Sequence, residues 1–260
     1  MKGPIDWVIH AYGCFPGRVT EFMNAYERMR PDRLKIITAS SCFQKMIQQL
    51  FHSTEMVSKC PFPVSNPEVQ PFLRDKLRAE IGIKQDESVF LYAGRISYQK
   101  NVHQLIHLFR QLPLKNNYKL VICGPIDDLN PKMNEQGPVL GLAEKLFHEE
   151  LKNANSENRS VIYLGNKTQS ELIGLYQMAD AYVSLSTHLG EDFGLAAAEA
   201  LAHGLPCRLS NWGGFQDFSA LSSVRLFHPT KLSAEDFFSL ETYSGSDEAL
   251  QYFGIPSVAE

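Results

Sequence analysis

Two short stretches hold the side chains best suited to chemistry. The first is Gly94-Arg95-Ile96-Ser97-Tyr98-Gln99-Lys100-Asn101. Arg95 offers a planar fork to phosphate oxygens and Lys100 a mobile point charge, so the two cations can converge on one anion. Gly94 permits the sharp turn this requires, and a helix opening at Asn101 would add its amide dipoles. A solvated loop with two surface cations is the plainer alternative. The second stretch is Gly190-Glu191-Asp192-Phe193-Gly194-Leu195-Ala196-Ala197-Ala198-Glu199-Ala200-Leu201. Glu199 interrupts a small, apolar helix face, and a buried carboxylate is costly unless something pairs with it. Two hydroxyl donors of a ribose would satisfy it; so would a buried Arg. Glu191 stands just before the helix and can reach the same cleft or merely favour the helix dipole. The helix start at Phe193, Gly194 and Leu195 presents free amides to a phosphate or oxyanion.

The histidines are less specific. His10, on a strand end, reads by itself as an ordinary core or capping residue. His103 and His107 have helical spacing, but HQLIH lacks the glutamate of a zinc-binding H-E-x-x-H and no third ligand is evident, so a plain helix face is expected. His188 either lines a pocket beside Gly190 or has no duty. Trp212-Gly213-Gly214 follows the last clear strand and is expected to close a site by backbone contacts.

The elements that must position these residues alternate regularly. Asp6–Tyr12 and Leu34–Ala39 read as buried strands, each followed by a helix pattern (Thr20–Met29, closed by Pro31, and a helix to Leu50 capped by Ser40 or Ser41). Gly13 to Gly17 reads as a turn. Pro61, Pro63, Pro67 and Pro71 mark an extended connector, the clearest boundary in the chain. Beyond it, strands at Ser88–Ala93, Lys119–Cys123, Ser160–Leu164, Ala181–Leu185 and Pro206–Leu209 alternate with helices. These are Phe72–Ile81, Asn101–Leu112, Leu140–Lys152, a capped helix from Thr168 to about Met178, and Gly194–Ala202. That order predicts a parallel, doubly wound α/β sheet, in which ligands bind beyond the carboxyl ends of the strands. From about Ser219 the pattern loosens, and the last thirty residues show no firm element.

Composition narrows the class. At 260 residues the chain is long for one Rossmann-like domain and short for two, given about 150 residues per domain. A formal charge of −4 argues against nucleic acid as a partner. No apolar run approaches the roughly 20 residues of a membrane span, and the start lacks a signal-peptide layout; peripheral membrane contact is left open. Five cysteines without C-x-x-C spacing read as reduced, mostly buried thiols, which points to the cytoplasm.

Taken together, Gly-Arg-x4-Lys, the Glu-x7-Glu frame from Glu191 to Glu199 and the closing Gly204-Leu205-Pro206 resemble the retaining, nucleotide-sugar-dependent glycosyltransferases of the GT-B fold, group 1 (family 4). The likeness runs from about Lys35 to Phe218 and includes LYAGRISYQKN, VIYLGNKTQSELIGLYQMADAYVSLS and GEDFGLAAAEALAHGLP. It implies a truncated C-terminal part of an acceptor-side Rossmann-like domain over residues 1–70. A nearly complete donor-binding domain would follow over 71–230, then an uncertain tail over 231–260. It also implies that Arg95 and Lys100 bind the donor diphosphate next to Gly94, Phe193, Gly194 and Leu195. Glu199 would hold the ribose, Glu191 would contact the transferred sugar, and backbone near Gly124 and Gly165 would frame the base. A histidine often ends an N-domain strand of the family near the donor sugar, which is the role implied for His10. Neither metal nor cofactor is implied beyond the sugar nucleotide, which is a substrate; the acceptor is a glycan, lipid or small molecule. Asn101 stands where the family often has glycine, and Ser186 to Glu191 is slightly longer than usual. The alternatives are an inactive nucleotide-sugar-binding remnant, or a fragment needing a partner chain. An epimerase or phosphorylase on the same fold is disfavoured by the Glu-x7-Glu frame.

Overall fold

The computed structural model describes residues 6–12, 19–29, 33–64, 73–114, 117–127, 132–134, 137–157, 160–188 and 190–240. The expected turn at Gly13 to Gly17, Cys14, Pro31, Pro67, Pro71, Phe72 and residues 241–260 lie outside them. The chain begins with β1 (Asp6–Ala11), α1 (Val19–Met29), β2 (Arg33–Thr38), α2 (Ser41–Phe51) and β3 (Val57–Lys59), whose strands form a parallel sheet in the order β1-β2-β3. There follow α3 (Leu73–Glu80), β4 (Ser88–Ala93), α4 (Val102–Arg110), β5 (Tyr118–Cys123), a small antiparallel pair β6 (Lys132–Asn134) and β7 (Gly137–Val139), and α5 (Leu142–Ser156). The last elements are β8 (Val161–Tyr163), α6 (Gln169–Met178), β9 (Ala181–Ser184), α7 (Leu195–Ala202), β10 (Cys207–Ser210), β11 (Val224–Phe227) and α8 (Ala234–Phe237). Six of these strands form one sheet in the order β11-β10-β9-β4-β5-β8, every neighbouring pair parallel.

The apolar runs of the central strands serve two cores at once, because successive side chains point to opposite faces. Val89, Leu91, Ala93, Val121, Cys123 and Tyr182 join α6 and α7 on one face. Phe90, Tyr92, Leu120, Ile122, Ala181 and Val183 join α4, α5 and α8 on the other. This is why SVFLYA and KLVIC read as continuous hydrophobic runs without alternation.

A polar clamp fastens α3 to this sheet. Arg74 and Arg78 reach Asp180 at 2.5 and 2.6 Å, and the amide of Val89 donates to the same carboxylate at 2.7 Å. Arg78 is only 1% exposed, and it also donates to the carbonyls of Met178 and Glu87. A guanidinium this deep is tolerated because its donors are all directed at acceptors.

The pattern along the sequence understates the C-terminal part. Val224–Phe227 forms the edge strand β11, Gly213–Ala220 is a 3-10 stretch and Ala234–Phe237 a single helical turn. β3, β6 and β7 also escape a reading by periodicity, since three residues are too few to display a period. Of the four described cysteines, all unpaired, Cys123 and Cys207 are buried but Cys42 and Cys60 are exposed, which corrects the expectation of mostly buried thiols.

Replacing Asp180 by Ala leaves the buried Arg78 uncompensated, which typically costs about 3 kcal/mol or more. The melting temperature of Asp180→Ala is expected to fall by roughly 10 °C, measurable by calorimetry; a change within 2 °C or so would refute the clamp.

Candidate functional site

At the carboxyl end of the six-stranded sheet the chain folds around a cavity of about 370 Å³, whose walls include Gly94, Arg95, Lys100, Glu191, Gly194, Leu195 and Glu199. The two stretches singled out above therefore meet, although 91 residues separate Lys100 from Glu191. Lys100 reaches the cavity through a 3-10 turn, Tyr98–Lys100, that ends at Asn101 in the left-handed region (φ 55°). Among residues with side chains, Asn tolerates that conformation best, and glycine adopts it without strain. Asn101 is held there by donating to Leu185 O at 2.9 Å and Thr187 Oγ1 at 2.8 Å.

Glu191 is 7% exposed, and its Oε2 accepts from both Lys100 Nζ and Ser186 Oγ at 2.5 Å. Arg95 faces Asp127 at 3.3 Å, an acid that nothing in the motif pattern marks. Tyr92 Oη donates to Arg95 O, and Tyr182 Oη to Ala93 O, so the turn after β4 is braced from within. Glu199 accepts from Tyr176 Oη at 2.9 Å and from Gln169 Nε2 at 3.3 Å; among the described residues no arginine pairs with it.

Gly194 (φ 82°) leads into α7 without a side-chain cap, and a Cβ there would lie 2.4 Å from the Phe215 ring. The first amides of α7 are thus left for the cavity. Phe193 is buried behind it, its ring edge-on to Phe62 and Phe218. Trp212, Gly213 and Gly214 buttress the acidic loop: Trp212 Nε1 donates to His188 O, and Gly214 N donates to Glu191 O at 2.7 Å.

Gly124 and Gly165 are not among the residues of the cavity wall. Gly124 N donates to Gly165 O at 2.8 Å, and Tyr163 Oη donates to Gly124 O. A Cβ on Gly124 would fall 1.9 Å from Gly94 O, so this glycine lets two strand ends approach closely. His10 is exposed and does not line the cavity either; its Nδ1 lies 2.8 Å from Tyr12 Oη. A chain of ring contacts, Tyr12 to Phe62 to Phe193, links its strand to the site. The two sheets also meet where Ser40 Oγ donates to Asp192 Oδ1 (2.9 Å) and where Ser41 N and Lys59 Nζ both donate to Asp217 Oδ2. His103 stacks on Tyr98 and His107 faces Glu150. Among the described residues no cluster of three or more His, Cys, Asp or Glu could hold a metal ion, and no helix is long and apolar enough to cross a membrane.

Residues 74–238 match the family model described as glycosyl transferases group 1, and they hold every wall residue of this cavity. The chain belongs to that family. It is 28% identical over 202 residues to an uncharacterized glycosyltransferase of Methanocaldococcus jannaschii, covering 76% of this chain and 46% of that one. Against the lipopolysaccharide 1,2-N-acetylglucosaminetransferase of Salmonella typhimurium it is 28% identical over 219 residues, 84% of this chain and 55% of the other. The chain thus spans about half the length of these curated relatives. Among solved structures, Anabaena HepE in complex with UDP superposes with a TM-score of 0.69 at 20% identity, covering 95% of this chain and 61% of that one. At that identity the likeness establishes the fold, which is the GT-B type.

Within this group 1 chain the histidines near the site are held neutral by their surroundings. Burial lowers the pKa of His188, and Lys100 and Arg95 beside it act in the same direction, with Glu191 opposing them. Burial also lowers His103 and His203. Unfolded imidazoles bind protons as pH falls past 6.5, whereas these folded ones resist, so stability present above that pH is lost below it. The melting temperature should fall between pH 7.5 and 5.5, and less steeply in His188→Gln. Equal slopes for the two proteins would count against the assignment.

Proposed function

We propose that this chain carries the donor site of a retaining glycosyltransferase, which moves a sugar from a nucleoside diphosphate sugar to an acceptor hydroxyl. One observation carries the reading: a single cavity gathers Arg95, Lys100, the opening amides of α7 and both acids, Glu191 and Glu199. Cations and oriented amides suit a diphosphate, and an acid held by a tyrosine hydroxyl and a glutamine amide suits a pair of hydroxyls. Anabaena HepE, of the same fold, has been crystallised with UDP and glucose, which supports a sugar nucleotide as ligand.

When the sugar departs, negative charge grows on the diphosphate. Arg95, Lys100 and the α7 amides are placed to stabilise it before it develops, which is the least costly arrangement because no reorganisation is needed during the reaction. Lys100 has three donors, so it would reach phosphate while still paired with Glu191 Oε2, and the other oxygen of that carboxylate would face the transferred sugar. Retention of configuration, Glu191 as its sugar contact and His10 at the acceptor side are parts of the same proposal. The presence of both acids and both cations favours transfer over binding alone. In this reading the side chains do the work that a metal does elsewhere.

Removing one such stabiliser costs about 3 kcal/mol, on the order of a hundredfold in rate. Lys100→Ala is therefore expected to lose turnover by that factor; because it also strips the buried Glu191 of its cation and lowers the melting temperature, turnover is compared at a temperature where the variant stays folded. Near-normal turnover would refute the assignment of Lys100. Melting the chain with UDP, GDP, ADP and dTDP should reveal stabilisation by at least one of them, and the sugar nucleotide of that base should be hydrolysed or transferred slowly. Excess chelator should leave that turnover unchanged; its loss would refute the metal-independent part of the reading.

A further inference from the structure

The environment of Glu199 contains a feature that the motif pattern does not include. Both of its carboxylate oxygens are held from a different helix. Tyr176 Oη on α6 donates to Oε2 at 2.9 Å, and Gln169 Nε2, at the first position of the same helix, approaches Oε1 at 3.3 Å. Both residues line the cavity with Glu199. The terminal torsion of a glutamate is broad, so a carboxylate at a cavity wall has no preferred plane unless a fixed donor sets it. Tyr176 is a fixed donor. It is 1% exposed, and its ring is packed against Tyr182 at 6.5 Å and His203 at 5.1 Å. His203 Nδ1 in turn lies 2.8 Å from the backbone oxygen of Glu199, tying the ring stack to the helix that carries the acid. The Gln169 contact is longer and exposed, hence weaker.

An ionised carboxylate has about four acceptor positions. With one described donor on each oxygen, both oxygens keep acceptor capacity, in a plane held by Tyr176. That arrangement matches two adjacent hydroxyl donors better than one.

We infer that Tyr176 is a positioning residue: by orienting the Glu199 carboxylate it makes the site select a ribonucleoside diphosphate over its 2′-deoxy counterpart. The inference rests on the sugar-nucleotide reading above and extends it from the acid to the tyrosine behind it. Burial and the neighbouring carboxylate push the Tyr176 pKa far up, so its hydroxyl stays a donor throughout the usable pH range.

The test is a binding titration of the full chain with UDP, GDP and ADP, each beside its 2′-deoxy form. The wild-type chain is expected to prefer the ribo form of the base it accepts by about tenfold, the usual worth of one hydrogen bond to a charged group. In Tyr176→Phe that ratio should fall below about threefold, the ribo form losing more affinity than the 2′-deoxy form, which has only its 3′-hydroxyl to lose. A merely structural role would weaken both forms alike and keep the ratio. Gln169→Leu should keep the ratio within about twofold of wild type. A wild-type chain that binds none of the six nucleotides and no dTDP overturns the sugar-nucleotide reading and this inference with it; one that binds dTDP alone overturns this inference alone. Binding without a ribo preference, an unchanged ratio in Tyr176→Phe, or a ratio abolished by Gln169→Leu overturns this inference alone.

Discussion

The buried carboxylate of Glu191 is the contact on which the site depends. Its Oε2 accepts from Lys100 and from Ser186, so one oxygen fastens the turn after β4 to the segment between β9 and α7. An unpaired carboxylate at that depth would be strongly disfavoured, so the two loops cannot separate without exposing or protonating the acid. Asn101 reinforces the same junction through Leu185 and Thr187, and Gly214 N holds the backbone of Glu191 from the far side. The cavity wall is therefore held by contacts within the chain itself.

Behind this junction the sheet does two jobs. Its alternating side chains fill two cores, and its strand ends bring the loops together at one edge. The second job needs close backbone approach, which Gly124 permits by having no side chain where Gly94 O lies. It also needs the helices to keep their places. The Asp180 clamp serves that need for α3, and the reciprocal capping of Thr168 and Glu171 does so for α6, setting where Gln169 and Tyr176 fall relative to Glu199.

The three-stranded sheet is joined to the site through acids of the larger one. Ser40 caps α2 by accepting from Phe43 N, and its hydroxyl also donates to Asp192, the neighbour of Glu191. Asp217 receives the α2 amide of Ser41 and the Lys59 ammonium. A negative side chain at the start of a helix is favoured by its dipole, so these contacts hold the first sheet against the acidic loop rather than merely beside it.

Much of this was legible in the sequence, because local physics acts on neighbouring residues. Strands such as SVFLYA, the capping box at Thr168 and the helix GLAAAEALA follow from periodicity and capping chemistry. The types and spacing of Arg95, Lys100, Glu191 and Glu199 singled out four residues that the structure brings to one cavity. The short strands β3, β7 and β11 left no readable period, although β8, β9 and β10, no longer than these, were marked by apolar runs. The partners of those groups were decided only by the tertiary structure. Lys100 meets Glu191 across 91 residues, Ser40 meets Asp192 across 152, and Tyr176 meets Glu199 across 23. A sequence specifies which residue can donate and which can accept, whereas crossovers of the sheet decide which of them share a cavity. Hydrogen bonds act over about 3 Å and carry no trace in the chain of which distant residue will be there.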